Sequence, residues 1–422
     1  MSDTVLDAPS LVDRLTAAKA ASAALATATA DLKNAALEAV ARAVEASAPR
    51  ILPANELDLA NGRENGLSTS LQDRLRLDEK RLAALADAVR QIASLADPVG
   101  ENVRGKTLPN GLQLTEVRVP FGVVGAIYEA RPNVTIDIAS LALKSGNAVV
   151  LRGGSAAART NAVLVELLQE AVASVGLPRD LVQTIDDFGR EGARELMHAR
   201  GLVDVLVPRG SASLIETVVR ESTVPVIETG AGVVHIVLDE SADEQWAVDI
   251  VRNAKVQRPS VCNAVETVLV HRAAAERLLP PVLDALRADG VTIHADERAR
   301  AIYPDSVPAT DEDWATEYGT LDLSVAVVDD LDAAIEHIGR WSTHHTESII
   351  TNDLANAERF LARVDSAVVM VNASTRFTDG GEFGFGAEVG ISTQKLHARG
   401  PMGLPELTST KWIVRGSGQV RG

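Results

Sequence analysis

From residue 123 onward, short apolar runs rich in β-branched residues alternate with longer stretches in which apolar residues recur at helical spacing. The runs lie at 123–127, 148–151, 203–207, 224–227, 235–238, 265–270, 324–328, 348–350 and 367–371. The helical stretches between them include 160–175, 212–221, 273–288 and 332–339. Strands separated by helices form parallel sheets that are covered on both faces. The pattern therefore predicts an α/β fold.

The first hundred residues have a different pattern, which predicts helices alone. Residues 11–48 are rich in alanine and have apolar residues at roughly helical spacing. A further helix begins at Asp78, a typical N-cap residue, and ends at Asp97-Pro98. Its apolar stripe consists of Leu82, Leu85, Val89 and Ile92.

Length and charge limit the function classes. A chain of 422 residues exceeds the size at which single cores stop growing, so two or three domains are expected. The net charge of −17 argues against nucleic acid or an anionic membrane as the main partner. No basic-then-apolar leader is visible at residues 1–10, and no apolar run is long enough to span a bilayer. We expect a soluble, cytoplasmic protein.

Residues 106–117 predict a β-hairpin. Its centre is Asn110-Gly111, a pair that accepts the positive φ angles of a type I′ turn. The flanking strands alternate with polar residues, so the ribbon has no core of its own and is marginal alone. From the residues alone, packing on another subunit and a simple surface hairpin are equally compatible with this pattern.

Two strand-to-helix turns have the composition of phosphate sites. Arg152, Gly153, Gly154 and Ser155 follow the run 148–151, and Arg209, Gly210 and Ser211 follow the run 203–207. Glycine lets backbone N–H groups approach an anion, and the helix N-terminus adds a favourable dipole. Neither turn matches the G-x-G-x-x-G fingerprint.

Cys262 is the only cysteine of the chain, so it has no partner for an internal disulfide. A lone cysteine is more often a small buried hydrophobe than a nucleophile. Here, however, Lys255 and Arg258 could stabilise a thiolate, and Pro259-Ser260 breaks regular structure just before the run 265–270. This places the thiol at the mouth of a sheet, where ligands of α/β folds bind. The eight histidines form no metal-ligand pattern, so no metal is expected.

Six stretches give the chain a family resemblance. They are 120–125, 131–135, 144–155, 225–230, 253–266 and 382–393. In this order and over nearly the whole length, the chain resembles the aldehyde dehydrogenase superfamily. The resemblance implies two doubly wound parallel-sheet domains and a small β oligomerisation element. It assigns 1–103 and 121–231 to an NADP(H)-binding domain, 232–399 to a catalytic domain, and 104–120 with 400–422 to an oligomerisation hairpin and tail.

The resemblance also implies roles for individual residues. Cys262 matches the nucleophile, and Asn133 matches the asparagine that forms the oxyanion hole with the backbone N–H of Cys262. The cofactor-binding positions are Arg152, Gly153, Gly154, Ser155, Arg209, Gly210, Ser211, Glu228 and Glu317. NAD-preferring relatives carry a glutamate where this chain has Ser155. Without that carboxylate, and with Arg152 beside it, a 2′-phosphate is favoured, which predicts NADP(H).

Two glutamates and three arginines complete the predicted site. Glu317 matches the glutamate at the nicotinamide ribose. Glu228 matches the general base of hydrolytic relatives, so it is either held away from the thioester or serves the hydride step or the cofactor. Arg131, Arg258 and Arg376 are candidate ligands for an anionic substrate, and Arg258 is the strongest because it is close to Cys262 in sequence.

Within the superfamily, the resemblance implies reduction of an acyl phosphate. We expect NADPH to reduce L-glutamyl 5-phosphate to L-glutamate 5-semialdehyde through a Cys262 thioester, with release of phosphate, as the second step of proline biosynthesis from glutamate. The expected partners are this small substrate, other copies of the chain in a dimer or dimer of dimers, and the upstream glutamate kinase through hand-over of the substrate. The alternatives are another aldehyde-oxidising or acyl-phosphate-reducing member and a catalytically silent scaffold.

Overall fold

The computed structural model describes residues 9–129 and 131–421. Residues 1–8, on which the expected absence of a leader partly rests, lie outside this range. The described chain divides into two compact units. The first comprises the residues up to Glu228, Phe385–Val389 and those from Met402 onward, and the second comprises Thr229–Gly384 and Gly390–Pro401. The domain limits expected from the sequence, at 231/232 and 399/400, lie close to two of these boundaries.

Helices and strands alternate along most of the chain. The α-helices are α1 Leu11–Leu25, α2 Ala30–Ala46, α3 Ala48–Glu64, α4 Thr69–Leu75, α5 Glu79–Ser94, α6 Pro132–Lys144, α7 Ala158–Ser174, α8 Gly189–His198, α9 Ala212–Glu221, α10 Glu244–Val256, α11 Arg272–Ala288, α12 Glu297–Ile302, α13 Asp311–Trp314, α14 Leu331–Trp341 and α15 Leu354–Arg363. The strands are β1 Asn102–Thr107, β2 Gln113–Pro120, β3 Val123–Tyr128, β4 Ala148–Arg152, β5 Val182–Thr184, β6 Val205–Arg209, β7 Val234–Leu238, β8 Val265–His271, β9 Thr292–Ala295, β10 Val307–Pro308, β11 Asp322–Val328, β12 Thr346–Ile350, β13 Val368–Val371, β14 Gly390–Ser392, β15 Gly400–Met402 and β16 Thr408–Arg415.

The first unit contains a parallel sheet in the order β5-β4-β3-β6. Every residue of β3 is buried, as expected for a central strand that helices cover on both faces. The helix predicted to begin at Asp78 is α5, and the Asp78 side chain accepts a hydrogen bond from the Arg81 N–H at 2.8 Å. The alanine-rich stretch 11–48 is divided between α1 and α2, because Thr29 begins a new helix by accepting from the Leu32 N–H.

The strand predicted at 224–227 is reduced to an isolated bridge between Leu206 and Val226. Leu206 N–H donates to the Pro225 carbonyl and Ile227 N–H donates to the Leu206 carbonyl, both at 2.8 Å. Pro225 has no N–H of its own, so the segment cannot continue a regular ladder. The prediction of a strand is wrong, although the segment does lie at the edge of the sheet next to β6.

The second unit is built on a seven-stranded parallel sheet in the order β10-β9-β11-β8-β7-β12-β13. The side chains of β7, β8 and β11 are almost entirely buried between helices. Helices α10 and α11 share one apolar core with this sheet, and α14 and α15 share another. The prediction of parallel sheets covered by helices is confirmed in both units.

The predicted hairpin and tail form one antiparallel sheet in the order β1-β2-β16. The predicted type I′ turn is wrong, because Gly111 has a positive φ and Asn110 does not. The Gly111 N–H donates to the Leu108 carbonyl, which places Pro109 and Asn110 at the centre of the turn. Proline fixes φ near −65°, so the left-handed conformation falls on Gly111 alone.

Within residues 9–129 and 131–421, no helix combines the length and the apolar character that crossing a membrane requires.

Candidate active site

In the second unit, Cys262 lies in the loop that joins α10 to β8, and its side chain is half-buried. The loop packs tightly on the segment before β7, where a Cβ on Gly232 would collide with the Cys262 carbonyl oxygen. Only glycine leaves room for this close approach. The thiol therefore lies at the amino ends of β7 and β8. The sequence argument placed the thiol at the mouth of the sheet because ligands of α/β folds bind at the carboxyl ends of the strands. That rule does not explain a thiol at the amino ends.

Glu317 lies on the segment between α13 and β11 and approaches the same glycine. Its carboxylate accepts a hydrogen bond from the Gly232 N–H. The side chain reaches solvent, but desolvation by the surrounding protein still raises the pKa of Glu317, and the Gly232 bond partly opposes this rise. The predicted nucleophile and the predicted ribose ligand thus both adjoin Gly232.

Arg376 connects the Cys262 loop to the loop after β13. It donates from Nη1 to the Asn263 Oδ1 and from Nε to the Gln257 Oε1 at 2.9 Å. Asn263 in turn donates to the Thr378 carbonyl at 2.8 Å. Burial lowers the pKa of Arg376, whereas its attraction to the Cys262 thiolate acts in the opposite direction.

Arg258 is near enough to Arg376 to repel it. The structure therefore brings together Cys262, Arg258 and Arg376, which the sequence had selected separately.

Lys255 does not support the thiolate in the way that its sequence position suggested. It is fully buried and donates to the Glu266 Oε2 at 2.6 Å. Glu266 also accepts from the Gly319 N–H at 3.3 Å. Burial raises the pKa of Glu266 to about 7, and the attraction of Lys255 opposes this rise. The ammonium of Lys255 is thus held by a carboxylate inside the unit.

In the first unit, Asn133 is exposed on the first turn of α6. Its Nδ2 donates to the Asp137 Oδ2, one helical turn later, at 3.0 Å. This bond fixes which end of the amide points away from the helix. Burial raises the pKa of Asp137 to about 6, while the Asn133 bond and the charge of Arg209 oppose the rise. Asp137 was not among the predicted residues, although its spacing of four from Asn133 was a usable signal.

The turn after β4 is partly filled by the protein's own carboxylates. The Gly153 N–H donates to the Asp186 Oδ1 at 2.6 Å, and a Cβ on Gly153 would collide with Asn161. The Thr160 N–H, in the first turn of α7, donates to the buried Asp58 at 2.8 Å. The Thr160 N–H therefore already has an anionic partner, and the phosphate site at this turn stays a prediction.

Arg152 lies near this turn. Burial raises the pKa of half-buried Asp186, and the charge of Arg152 partly opposes this rise. Ser155 is exposed, and Gly154 accepts from the Ala157 N–H at 3.1 Å. Of the amides of this turn, the Gly153 N–H already has a carboxylate partner.

The turn after β6 does hold an anion, which is a carboxylate of the protein. Glu129 accepts from the Ser211 N–H at 2.9 Å and from the Ser211 Oγ at 2.8 Å. A Cβ on Gly210 would lie 2.8 Å from this carboxylate. Because β3 is paired with β6, the end of β3 lies beside the turn that contains Arg209. The sequence argument missed Glu129, although neighbouring parallel strands end at one edge of a sheet.

Arg131 and Glu228 complete the predicted residues of the first unit. Arg131 is half-buried immediately before α6, and its carbonyl accepts from the Val134 N–H at 3.0 Å. Glu228 is half-buried directly after the 224–227 segment. Among the described residues, no group of three or more His, Cys, Asp or Glu side chains could hold a metal ion.

The sequence model of the aldehyde dehydrogenase family matches residues 6–299. The chain belongs to the aldehyde dehydrogenase family. It is an oxidoreductase of that family, for which a nicotinamide cofactor is implied. The donors around Ser211 fit a phosphate of such a cofactor, because they already hold an anionic group.

The curated relatives are similar over nearly their full length. A protein of Leifsonia xyli subsp. xyli named gamma-glutamyl phosphate reductase is 74% identical over 98% of both chains. A protein of Thermobifida fusca with the same name is 59% identical over 100% of both chains. The resemblance stated from the sequence motifs is thereby confirmed.

Solved structures agree with the fold. The crystal structure of gamma-glutamyl phosphate reductase from Thermotoga maritima is 45% identical with a TM-score of 0.96, covering 98% of this chain and 100% of that one. An acetylating aldehyde dehydrogenase from Geobacillus thermoglucosidasius is 19% identical with a TM-score of 0.70, covering 98% and 97%, and shows the fold alone. The predicted aldehyde-dehydrogenase-like fold is confirmed.

Proposed function

We propose that this enzyme reduces L-glutamyl 5-phosphate to L-glutamate 5-semialdehyde with NADPH, releases phosphate, and so performs the second step of proline biosynthesis from glutamate. The observation that carries the proposal is full-length similarity to relatives named gamma-glutamyl phosphate reductase. The grouping of Cys262 with two arginines supports it, because an acyl phosphate with an α-carboxylate needs both a nucleophile and cations.

The first step assigned to the chain's own residues is attack of the Cys262 thiolate on the acyl carbon. The positive charge of Arg376 favours this thiolate. Phosphate leaves as the carbon–sulfur bond forms, and the result is a thioester on Cys262. Phosphate is a good leaving group, so this step does not require a strong acid.

Asn133 is the proposed donor to the oxyanion that develops during this attack, together with the Cys262 backbone N–H. Asp137 holds one N–H of the Asn133 amide, and the other N–H remains for the substrate oxygen. One such donor contributes roughly 3–4 kcal/mol to stabilisation of the transition state.

The cofactor, when bound, supplies the hydride that reduces the acyl group. Arg152, Ser155 and the turn from Arg209 to Ser211 are proposed to hold its phosphates, and Glu317 its nicotinamide ribose. Glu228 is proposed as a cofactor contact rather than a base, because a phosphate-dependent reductase must not hydrolyse its thioester. The absence of a carboxylate at Ser155 favours the 2′-phosphate of NADP(H).

We also propose that the β1-β2-β16 sheet joins copies of the chain into a dimer or dimer of dimers. The proposal extends to a cytoplasmic enzyme that receives its labile substrate from the upstream glutamate kinase. Light scattering of the intact chain and of a chain shortened before β16 tests the first part, because only the shortened chain should lose its assembly state.

The test of the activity follows NADP⁺ reduction with glutamate semialdehyde, with and without phosphate. We expect turnover only when phosphate is present, and none with Cys262→Ala, which should still bind NADPH. Cys262→Ser serves as the matched variant that keeps the size of the side chain. Turnover that is independent of phosphate, or retained by Cys262→Ala, contradicts the proposal.

The cofactor preference has its own experiment. Ser155→Glu should shift the ratio of kcat/KM from NADPH towards NADH, because the new carboxylate repels a 2′-phosphate and accepts from ribose hydroxyls. Ser155→Gln, of equal length but uncharged, is the control. If the ratio does not change in Ser155→Glu, this assignment of the turn is wrong.

A further inference from the structure

A cavity of about 200 Å³ lies in the second unit, beside the loop that carries the nucleophile. Its lining residues are Asn253, Gln257, Arg376, Phe377, Asp379 and Glu382. The lining thus combines one guanidinium, two carboxylates, two amides and one aromatic ring. Such a mixture suits a small ligand that carries both charges, since a purely anionic ligand would be repelled by the carboxylates.

Arg376 links this cavity to the nucleophile. Its guanidinium bonds to Asn263, which directly follows Cys262, and its charge interacts with the Cys262 thiolate. A guanidinium has five N–H donors, and the bonds to Asn263 and Gln257 use only part of this capacity. It can therefore receive a carboxylate while it stays attached to the loop.

The two carboxylates follow Arg376 by three and six residues in sequence, and that of Asp379 is held in a tight turn. Asp379 accepts from the Gly381 N–H at 2.8 Å and from the Glu382 N–H at 3.3 Å, both through Oδ1. Glu382 is exposed. Both carboxylates attract Arg376, so cation and anions lie close enough for one small molecule to contact all three.

We propose that this cavity binds the α-amino-acid end of the substrate, with Arg376 on the α-carboxylate and with Asp379 and Glu382 on the α-ammonium. The assignment rests on the function proposed above and adds the residues that select an amino acid over a simple acyl group. Charge-assisted hydrogen bonds to both ends orient the side chain of the substrate towards Cys262. Arg258, which lies beyond the cavity lining, remains for the phosphate.

Three aldehyde substrates distinguish the contribution of the α-carboxylate from that of the α-ammonium in the phosphate-dependent oxidation. Glutamate semialdehyde has both charges, glutarate semialdehyde has the carboxylate without the ammonium, and butyraldehyde has neither. We expect Glu382→Gln and Asp379→Asn to raise KM for glutamate semialdehyde by about tenfold or more, to lower KM for glutarate semialdehyde because a repelling carboxylate is lost, and to leave KM for butyraldehyde unchanged. Arg376→Gln should lower kcat for all three aldehydes, because the charge that favours the Cys262 thiolate is lost, and should raise KM only for the two aldehydes that carry a carboxylate.

The control is Glu276→Gln, which removes an exposed carboxylate on α11 that is not part of the cavity lining. It should match the wild type with all three aldehydes. Glu382→Gln keeps the proposal testable if Asp379→Asn loosens the turn, because Glu382 contributes only its backbone to that turn.

If the wild type does not oxidise glutamate semialdehyde, the proposed function fails. If it does, and Glu382→Gln changes all three aldehydes alike or none, the cavity does not bind the ammonium and the inference is overturned.

Discussion

Replacing Lys255 by methionine removes one half of a fully buried ion pair and leaves Glu266 without its cation. The two side chains are 0% and 1% exposed, and their charged atoms lie 2.6 Å apart. Removing one partner of such a pair commonly costs about 3–5 kcal/mol when the other stays charged. Burial, however, raises the pKa of Glu266 to about 7. It can take up a proton instead of remaining charged.

The cost should therefore depend on pH. Well below pH 7, Glu266 is mostly protonated in both folded proteins, so the difference in stability between them changes little with pH. Above pH 7, the wild type releases this proton to form the ion pair, whereas the variant keeps it because its pKa is higher still. The folded variant then binds one proton more than the folded wild type. Its deficit grows by about 1.4 kcal/mol per pH unit, or about 2 kcal/mol between pH 7 and pH 8.5.

Urea unfolding of both proteins, followed by tryptophan fluorescence at several pH values from 6 to 8.5 and at one protein concentration, measures this difference. The double variant Lys255→Met/Glu266→Gln is the matched control. Its glutamine does not titrate, so its loss of stability relative to the wild type should not change with pH. A deficit in the single variant that is flat across this range would refute the reasoning that Glu266 takes up the proton.

Three further perturbations concern the site. Gly232→Ala should lower kcat/KM by about a hundredfold, because the new Cβ displaces the backbone of Cys262; an unchanged rate would show that the loop tolerates it. The carboxylate of Asp137 is lost as pH falls through about 6, so kcat should fall there, and Asp137→Asn should flatten this acid limb in a pH–rate profile. Glu129→Gln should tighten dinucleotide binding severalfold in a fluorescence titration, since the carboxylate now occupies the N-terminus of α9; weaker binding contradicts competition.

The sequence predicts those features that depend on local pattern. Period and composition locate the parallel strands, and the N-cap at Asp78 begins its helix as expected. Cys262 and Arg258 are four residues apart, so their proximity could be expected. Arg376 was selected only as a cation for the expected anionic substrate; it is 113 residues from its partner Asn263 and has no local signal of its own.

The features that the sequence did not predict depend on contacts between distant residues. The carboxylates of Asp58 and Asp186 accept from the Thr160 and Gly153 N–H groups at the turn where the sequence predicts a phosphate. Lys255 reads as a charge near the thiol, but the fold places Glu266 beside it. In each case the spacing along the chain predicts a vacant donor or cation, and only the three-dimensional packing reveals the anion already bound to it.

The pairing of β16 with β2 has a consequence for the order of events in the cell. Thr408 and Arg118, which are in contact in this sheet, are 290 residues apart. The ribosome makes β16 after both strands of the hairpin, so the hairpin remains a two-stranded ribbon until β16 has been made. The proposed association of copies through this sheet would therefore follow the synthesis of β16, and a nascent polypeptide that lacks this strand would not yet present the complete sheet to its neighbours.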